Sequence, residues 1–452
     1  MASLLIKNAQ AIVTVDNQDH VFEQYNILIE GNRITAIGDQ HWSADTVIDA
    51  THMIVYPGLV NTHHHLYQTF TRNLPAVQHM ELFDWLRTLY GIWRGLTEDV
   101  IYYSSLTGLG ELLKYGCTTC FDHHYVFPQQ RSDLFIDRQF DAAADLGIRF
   151  HASRGSMSRG KSDGGLPPDE LVQNIHTILT DSLRLVENYH DVRPYSMRQV
   201  VLAPCSPFSV TADLMTETEK LARVKQVRLH THLAETKTEE EYCLHTRGLR
   251  PLAYMESLGW LGPDVWYAHG IHFNEQELQK LADTQTGIAH CPVSNQKLSS
   301  GIAQLPRMLE LGVPVGLAVD GSASNDCSNL LSELRSCYLL HRLSSSAKAP
   351  SGYDLLRLAT RGGAALLGRT DIGSIEVGKA ADLFLLRTDR LEYVGAQFDP
   401  KSLLATVGVN RPVDYTIVNG RIVVKNGELC TVDEQRTAQQ ANKLVEALVK
   451  GS

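Results

Sequence analysis

The sequence lacks three features that would each assign it to a broad class of protein. It has no apolar run approaching the roughly 18 residues of a membrane span, no cluster of basic residues and no regular framework of cysteines. Its 41 lysines and arginines are outnumbered by 51 aspartates and glutamates, which gives a net charge of −10. These absences argue against a membrane protein and against a partner that is a nucleic-acid polymer or an anionic membrane. A small nucleobase ligand would leave no trace in this charge balance.

Cysteine usage favours a reducing compartment. The eight cysteines are scattered through apolar segments, whereas disulfide-rich secreted proteins show regular spacings. The single CxxC stretch, Cys117 to Cys120, has no second pair, so we interpret both residues as buried strand residues rather than as a redox or zinc motif. The opening MASLLIKNAQ lacks the long apolar core of a signal peptide. We therefore expect a cytoplasmic protein.

The middle of the chain alternates between strand-like and helix-like segments. Strand-like runs cover 54–61, 117–122, 148–153, 199–204, 226–232, 265–269, 287–291 and 313–320. Helix-length segments between them include 99–115, 167–190, 212–224 and 274–282. Eight strands with interleaved helices predict an α/β fold of the (β/α)8 TIM-barrel type.

The two ends of the chain resemble each other in texture. Both read as short strands joined by turns, and Asn419-Gly420 is the strongest hairpin signal. Neither end has enough strands to bury a face alone, so we expect them to form one small β-sandwich together. The predicted organisation is a sandwich segment at 1–56, a catalytic barrel at 57–370, and a second sandwich segment with a terminal helix at 371–452.

Unusual polar residues follow several of the predicted barrel strands, at the end where barrel enzymes carry their chemistry. Residues two apart on an extended segment point to the same side, so His63 and His65 can converge while His64 faces away. Together with His232 after strand five and Asp320 after strand eight, they match the nitrogen and oxygen ligands preferred by zinc or ferrous iron. One coordination position would remain open, which is typical of a catalytic metal.

Two further side chains belong to the same predicted rim. Glu235 lies where strand five would enter its loop, and it could pass a proton between water and a ring nitrogen of the substrate. Its alternative role is that of a residue at the start of a helix, beside Thr236. His269, at the end of strand six, could contact the substrate or orient Asp320, or it could be a satisfied core histidine.

Four stretches, PGLVNTHHH, HLAE, AHG and VDG, occur in an order that resembles the amidohydrolase superfamily. The branch most similar contains cytosine, guanine and S-adenosylhomocysteine deaminases and triazine hydrolases. Longer stretches, such as HHHLYQTFTR, GCTTCFDHHYVFP and LAPCSPFSVT, resemble the deaminases that act on 8-oxoguanine. The similarity covers nearly the whole chain. It implies a metal-dependent hydrolase whose metal is bound by His63, His65, His232 and Asp320.

The resemblance also implies roles for the other rim residues and a metal count. Glu235 and Asp320 would transfer protons, and His269 would polarise the substrate. Members with two metals carry a carboxylated lysine at the end of strand four. That strand reads VVLAPCSPF here and has no lysine. We therefore expect one divalent ion per chain, Zn²⁺ or alternatively Fe²⁺.

Three residues are predicted to bind the substrate. Gln68 stands where guanine deaminases have a glutamine that reads the purine. Cys205 stands about where those enzymes have an arginine, which predicts an altered pocket. A nucleophilic role for Cys205 is not expected, because no base is evident beside it. Arg154 could hydrogen-bond a ring carbonyl, or it could form a structural salt bridge.

Several other polar residues near the predicted rim have open roles. Either His123 or His124, after strand two, should face inward. His290 and Asn295, in the stretch HCPVSN, are candidates for supporting the residues that contact substrate or metal.

The expected reaction is the deamination of 8-oxoguanine to urate and ammonia. The expected partner is a small purine, in a protein that could form a homo-oligomer. Within the same branch the alternatives are deaminases of isoxanthopterin, guanine or isocytosine and an s-triazine hydrolase. A non-catalytic assembly protein on the barrel is an alternative from another class. An editing deaminase of nucleic acids is disfavoured by the acidic charge and by the missing HxE and PCxxC zinc arrangement.

Overall fold

Eight parallel strands form the centre of the molecule. The structure is a computed structural model that describes residues 2–129 and 134–451. In chain order its strands are β1 Ser3–Ala9, β2 Ala11–Val13, β3 Val21–Phe22, β4 Tyr25–Glu30, β5 Arg33–Gly38, β6 Thr46–Asp49, β7 Met53–Pro57, β8 Leu59–Asn61, β9 Cys117–Asp122, β10 Arg149–Ser156, β11 Arg198–Pro204, β12 Arg228–Leu233, β13 Val265–His269, β14 Gly287–His290, β15 Val315–Leu317, β16 Leu383–Arg387, β17 Tyr415–Val418, β18 Arg421–Lys425 and β19 Glu428–Leu429.

The described residues also form α-helices. They are α1 Leu82–Trp93, α2 Glu98–Lys114, α3 Phe135–Leu146, α4 Ile175–Tyr189, α5 Ala212–Lys225, α6 Lys237–Arg247, α7 Pro251–Ser257, α8 Glu275–Thr284, α9 Pro292–Lys297, α10 Leu305–Leu311, α11 Ser322–Asn325, α12 Leu330–Ser345, α13 Gly352–Arg357, α14 Gly363–Leu366, α15 Leu403–Thr406 and α16 Glu434–Lys450. Short 3-10 helices occupy Leu66–Thr71, Pro75–Val77, Lys161–Asp163, Asp169–Leu171, Ser346–Lys348 and Leu391–Tyr393, and a π-helical turn occupies Leu358–Gly362.

Strands β8 to β15 pair in chain order as one parallel sheet of eight strands. The two edges of this sheet approach each other just beyond β8, where the backbone N–H and the Oγ1 hydroxyl of Thr62 both donate to the carbonyl of Leu317. The strands carry mostly apolar, buried residues, as expected for strands covered on both sides. The predicted (β/α)8 barrel is confirmed.

The stretch 54–61, expected to form one strand, forms two. Strand β7 pairs with β2 and β16 in a second sheet, while β8 opens the barrel. The two strands are separated by Gly58, where a Cβ atom would lie 2.1 Å from the Oγ1 of Thr118. Glycine is therefore required where the chain passes from one sheet to the other.

Both ends of the chain contribute to the β-sandwich. One sheet has the order β5-β4-β1-β6, and the other has the order β19-β18-β17-β16-β7-β2-β3. Residues such as Ile6, Ile27 and Leu383 form a shared core cluster for these sheets. The hairpin between β17 and β18 turns at Asn419 and Gly420, which have φ values of 50° and 79°. Positive φ at both positions is typical of a type I′ turn, and the hairpin predicted there is present.

The two cysteines of the CxxC stretch lie in the barrel sheet. Cys117 and Cys120 are buried strand residues of β9 with free thiols, as predicted. Among residues 2–129 and 134–451, no helix has the length and apolarity needed to cross a bilayer.

Candidate active site

The carboxyl ends of three barrel strands bring the four predicted ligands together. His63 and His65 follow β8, His232 lies in β12, and Asp320 follows β15. His64 points the other way, with its Nε2 atom 2.9 Å from the Oγ of Ser328. The alternation predicted for the three consecutive histidines is thus present.

The ligand atoms face one another at short distances. Asp320 Oδ1 lies 3.3 Å from the Nε2 atoms of both His63 and His65. The Nε2 atoms of His65 and His232 are 3.1 Å apart. The Nε2 of His63 is buried and has no hydrogen-bond partner among the described residues. A cation between these atoms would satisfy all of them.

Hydrogen bonds to the other ring nitrogens fix the tautomers of these histidines. His65 Nδ1 lies 2.6 Å from the carbonyl of His123, and His232 Nδ1 lies 2.7 Å from the carbonyl of Cys205. A carbonyl oxygen can only accept, so both Nδ1 atoms donate and both Nε2 atoms carry a lone pair. This is the arrangement that metal-binding histidines adopt.

His63 is oriented through a second histidine that the sequence interpretation missed. His230 Nδ1 is 2.9 Å from the carbonyl of Trp266, so it donates, and its Nε2 must accept from the Nδ1 of His63 at 2.8 Å. The Nε2 of His63 therefore also offers a lone pair. A signal was present in the sequence, since His230 precedes His232 by two residues on a strand and shares its side. The residues present fit a divalent metal.

Asp320 is held by several donors around its carboxylate. Oδ2 accepts from Ser294 Oγ at 2.5 Å and from Ser324 Oγ at 3.3 Å, and Oδ1 accepts from the backbone N–H of Gly321 at 2.6 Å. Burial acts to raise its pKa, but contacts with His63 and His65 outweigh burial and hold the pKa well below its ordinary value. The carboxylate is therefore ionised.

Glu235 points into the same space rather than capping a helix. Helix α6 is capped by the next residue, Thr236, and the Glu235 carboxylate lies 3.5 Å from His269 Nε2 and 3.2 Å from Ser300 Oγ. Burial, reinforced by Asp320, raises the pKa of Glu235. A buried carboxyl with a raised pKa suits a group that gains and loses a proton.

The backbone beside these groups is unusual. Ala234, His269 and Asp320 have φ values of 54°, 74° and 62°, in the left-handed region that residues other than glycine seldom occupy. Such conformations cluster at functional sites because the surrounding structure must hold them. At Ala234, the carboxylate of Glu239 accepts the N–H groups of Ala234 and Glu235 at 2.9 and 3.0 Å.

His269 joins the two carboxylates. Its Nδ1 is 2.9 Å from Asn295 Oδ1, and its Nε2 lies 4.0 Å from Asp320 Oδ2. Burial acts to lower its pKa, but Glu235 and Asp320 outweigh burial and raise the pKa. The two carboxylates thus favour the protonated form of His269. The expected supporting role of Asn295 matches this contact.

A cavity lies over the cluster. Its lining residues are His65, Gln68, Leu82, Trp85, Leu86, Tyr125, Cys205, Phe208, His232, Glu235, His269, Leu298, Asp320 and Ser324. The lining combines polar groups with apolar and aromatic side chains. This combination suits a small planar heterocycle with polar edges.

Two of the three predicted substrate contacts line this cavity. The Oε1 of Gln68 is buried without a hydrogen-bond partner in the described structure, and a Cβ atom at Gly321 would lie 1.9 Å from it. The absence of a side chain at position 321 thus makes room for Gln68. Burial raises the pKa of Cys205 to about 12, so its thiol is protonated and a nucleophilic role is excluded near neutral pH.

The structure does not place Arg154 among the predicted substrate contacts. It is absent from the cavity lining, and its Nε donates to Asp181 Oδ2 at 2.6 Å while its Nη2 donates to Gln173 Oε1 at 2.9 Å. Its guanidinium also packs over the ring of Phe127. Because a buried guanidinium needs a carboxylate partner, this residue forms the structural salt bridge that was the alternative.

The open questions about the other histidines have answers in the structure. His123 faces the predicted ligand group, with its ring 4.8 Å from that of His232. His124 points away and packs on Phe127 and Phe135. His290 does not support the site directly, because its Nε2 lies 3.2 Å from that of His341.

With this geometry in place, the chain can be compared with known proteins. The model of the amidohydrolase family matches residues 54–423, most of the chain. The chain belongs to the amidohydrolase family. It is therefore a hydrolytic enzyme, and the alternative of a non-catalytic assembly protein is not supported.

Curated relatives and solved structures support the expected branch of this family. The chain is 44% identical over 455 residues to an 8-oxoguanine deaminase of Pseudomonas aeruginosa, covering 100% of both chains. It is 39% identical to a hydroxydechloroatrazine ethylaminohydrolase of Pseudomonas sp. (strain ADP), covering 100% of this chain and 97% of the relative. A zinc complex of atrazine chlorohydrolase TrzN from Arthrobacter aurescens matches with a TM-score of 0.94 and 35% identity, covering 98% and 100% of the two chains.

Proposed function

We propose that this amidohydrolase deaminates 8-oxoguanine, with water as the second substrate and urate and ammonia as products. The observation that carries the proposal is the neutral thiol of Cys205, which shares one cavity with Gln68 and the proposed metal ligands. Guanine deaminases resemble this chain but have an arginine at about that position. The full-length similarity to an 8-oxoguanine deaminase supports the same substrate.

The proposed metal is a single Zn²⁺, with Fe²⁺ as the alternative. His63, His65, His232 and Asp320 would hold it, and strand β11 ends at Pro204 without a lysine that could bridge a second ion. The zinc complex of the related TrzN supports zinc. When bound, such an ion lowers the pKa of coordinated water towards 7 and so supplies a nucleophile at neutral pH.

The proton transfers are assigned to the protein side chains. Asp320, held ionised, accepts a proton from the water that attacks the carbon bearing the 2-amino group. Glu235 delivers a proton to the adjacent ring nitrogen. As the carbon–nitrogen bond breaks, Asp320 returns its proton to the departing amino group, which leaves as ammonia. Glu235 takes back a proton from the new hydroxyl, which becomes the ring carbonyl. His269, 3.5 Å from Glu235, donates a hydrogen bond to the charge that develops during attack.

The remaining lining residues bind and orient the ring. Trp85, Leu86 and Phe208 provide apolar surfaces against which a planar purine packs. Gln68, with its unpartnered Oε1, offers an acceptor to one polar edge of the ring. We also propose a small purine as the partner and a homo-oligomeric protein in the cytoplasm.

A second candidate is the removal of an alkylamino group from an s-triazine. The 39% identity to a hydroxydechloroatrazine ethylaminohydrolase favours it, because that activity also replaces an amine on a planar nitrogen heterocycle. Deamination of isoxanthopterin, guanine or isocytosine would use the same residues. These substrates would differ only in their contacts with the lining of the cavity.

A substrate panel tests the proposal. Ammonia or amine release should be measured for 8-oxoguanine, guanine, isoxanthopterin, isocytosine and an ethylamino-s-triazine with metal-replete enzyme. We expect kcat/KM for 8-oxoguanine to exceed that for guanine by up to roughly 10⁴-fold, because guanine would leave buried polar groups unpaired. Equal or faster turnover of guanine, or preferred turnover of the triazine, would overturn the substrate assignment and leave the deaminase chemistry intact.

A further inference from the structure

A second cluster of metal-ligating side chains lies outside the active site. His290 ends strand β14, and Cys337 and His341 lie on helix α12. One nitrogen or sulfur atom from each residue lies within 4.8 Å of the others. All three side chains are buried, with at most 1% of their surface exposed.

The spacing of these atoms matches shared coordination. The Nε2 atoms of His290 and His341 are 3.2 Å apart. Two imidazole nitrogens bound to one tetrahedral zinc at about 2.0–2.1 Å lie roughly 3.3 Å from each other. Cys337 and His341 are four residues apart on one helix, so their side chains share a face.

Other partners do not account for the cluster. Among the described residues, Cys337 has a free, buried thiol, and the Nδ1 atoms of both histidines have no hydrogen-bond partner. The carboxylate of Glu333, one turn earlier on α12, is already occupied by the side chain of Asn325 and the backbone N–H of Val293. Burying polar groups without partners costs free energy, which a shared ligand would offset.

We propose that His290, Cys337 and His341 form a second metal site, which takes zinc or a similar thiophilic ion and is separate from the proposed catalytic metal. A thiolate with two imidazoles selects such ions over magnesium or calcium. The site offers three protein ligands, one fewer than the four of most structural zinc sites.

The site has a structural consequence for the active site. His290 directly precedes the segment that carries Ser294 and Asn295, which bind Asp320 and His269 at 2.5 and 2.9 Å. An ion on His290 would therefore fix this segment to helix α12. Because an ion that binds only the folded state stabilises that state, added zinc should raise Tm beyond the effect of filling the catalytic site.

Cobalt substitution separates the two sites without any substrate. The proposed catalytic ligands contain no sulfur, so a thiolate-to-cobalt charge-transfer band reports a cysteine ligand. In the metal-depleted full-length chain titrated with Co²⁺, we expect two equivalents bound and such a band. Cys337→Ser should lose the band and one equivalent, and it should retain deaminase activity when the catalytic site is filled.

Matched variants make the test specific. Cys243→Ser replaces a buried cysteine on α6, and Cys205→Ser replaces the thiol in the cavity; both should keep the band. If Cys337→Ser does not fold, His341→Gln should lose the second equivalent instead. A single equivalent with no Cys337-dependent band would overturn the proposal, and the cluster would then be a hydrogen-bonded part of the core. Neither result depends on which heterocycle the enzyme deaminates.

Discussion

Buried polar groups lie at both ends of the barrel, and the Arg149–Asp382 pair differs from groups at the carboxyl end in how completely its atoms are partnered. At the amino-terminal end, the Nε and Nη2 of Arg149 each donate to one oxygen of Asp382 at 3.1 Å. At the carboxyl end, His63 Nε2 and Gln68 Oε1 are equally buried but have no hydrogen-bond partner in the described structure. Burial alone therefore does not distinguish a functional site from a structural one.

What distinguishes the two ends is the kind of partner. The fork of Arg149 pairs with a carboxylate of opposite charge, which completes both groups. The carboxyl-end groups converge on one another with lone pairs facing inward, so they are completed only by a cation and a substrate. Native proteins retain few unsatisfied buried groups, and those that persist call for an explanation such as an ion or a catalytic role. The carboxyl end of the barrel is therefore suited to binding ligands.

The largest effect is expected for Glu235→Gln at the carboxyl end. Glutamine keeps the size and one acceptor of the side chain but cannot transfer a proton, so kcat should fall by roughly 10²–10⁴-fold. The proposed ligands do not include Glu235, so metal content per chain should be unchanged. The measurements are steady-state kinetics and elemental analysis on the same preparation. Near-normal kcat would show that Glu235 has no part in proton transfer.

At the amino-terminal end, Arg149→Met should act on stability rather than on chemistry. Removing Arg149 leaves the buried Asp382 carboxylate without its cation and held, among the described residues, only by the N–H of Asn419, which costs about 3–5 kcal/mol in the free energy of unfolding. Activity per folded molecule should stay within about twofold, because Arg149 lies at the opposite end of strand β10 from the cavity. Denaturant unfolding and kcat together provide the test. A large loss of kcat in the folded fraction would remove the distinction between the two ends.

A smaller, pH-dependent effect is expected for a carboxyl-end carboxylate held only by neutral donors. Asp122 accepts from the N–H of Leu66 at 2.6 Å and from Gln139 Nε2 at 2.7 Å. Burial outweighs these donors and raises its pKa from 3.8 to about 6. The folded state therefore binds the proton more tightly than the unfolded state, and stability is lost as pH rises from about 4 to about 6.

Asp122→Asn should remove this dependence. Asparagine can still accept from Leu66, and its NH₂ group can donate to the unpartnered Oε1 of Gln139 if that amide rotates. Relative to pH 4, the wild type should lose on the order of 3 kcal/mol by pH 7 through this group, and the variant should not. Unfolding curves of both proteins across this range decide the matter. Parallel pH profiles would contradict the assigned pKa shift.

Much of the proposed metal site could be predicted from sequence because its signals are local. Period-two spacing separates His63 and His65 from His64, and strand ends in a barrel share one rim. Other features depend on contacts between distant segments, which a single sequence does not show. The salt bridge of Arg154 depends on Asp181, and the division of 54–61 between two sheets depends on pairing of β7 with β16. The apolar part of the cavity lining that α1 contributes, Leu82, Trp85 and Leu86, had no local sequence signal.

The smallest expected effect concerns how Glu235 is presented. The two oxygens of Glu239 accept the N–H groups of Ala234 and Glu235, and they hold the left-handed turn at Ala234. Glu239→Gln replaces one acceptor with a donor, so one of these N–H groups loses its partner. We expect kcat to fall by about tenfold, since loss of one hydrogen bond is worth roughly 1–1.5 kcal/mol. KM and metal content should change little, because Glu239 does not line the cavity.

A nearby exposed residue provides the control for the role of Glu239 in positioning Glu235. Glu241 is exposed on the same helix, so Glu241→Gln makes the same change in charge and composition without touching the turn. Its kcat should equal that of the wild type. Glu239→Asp, which keeps both acceptors on a shorter side chain, should recover part of the lost rate. Glu239→Gln could instead lose metal and stability in proportion to its loss of rate. In that case the Glu239 carboxylate supports the structure of the whole rim, as Arg149 supports the amino-terminal end.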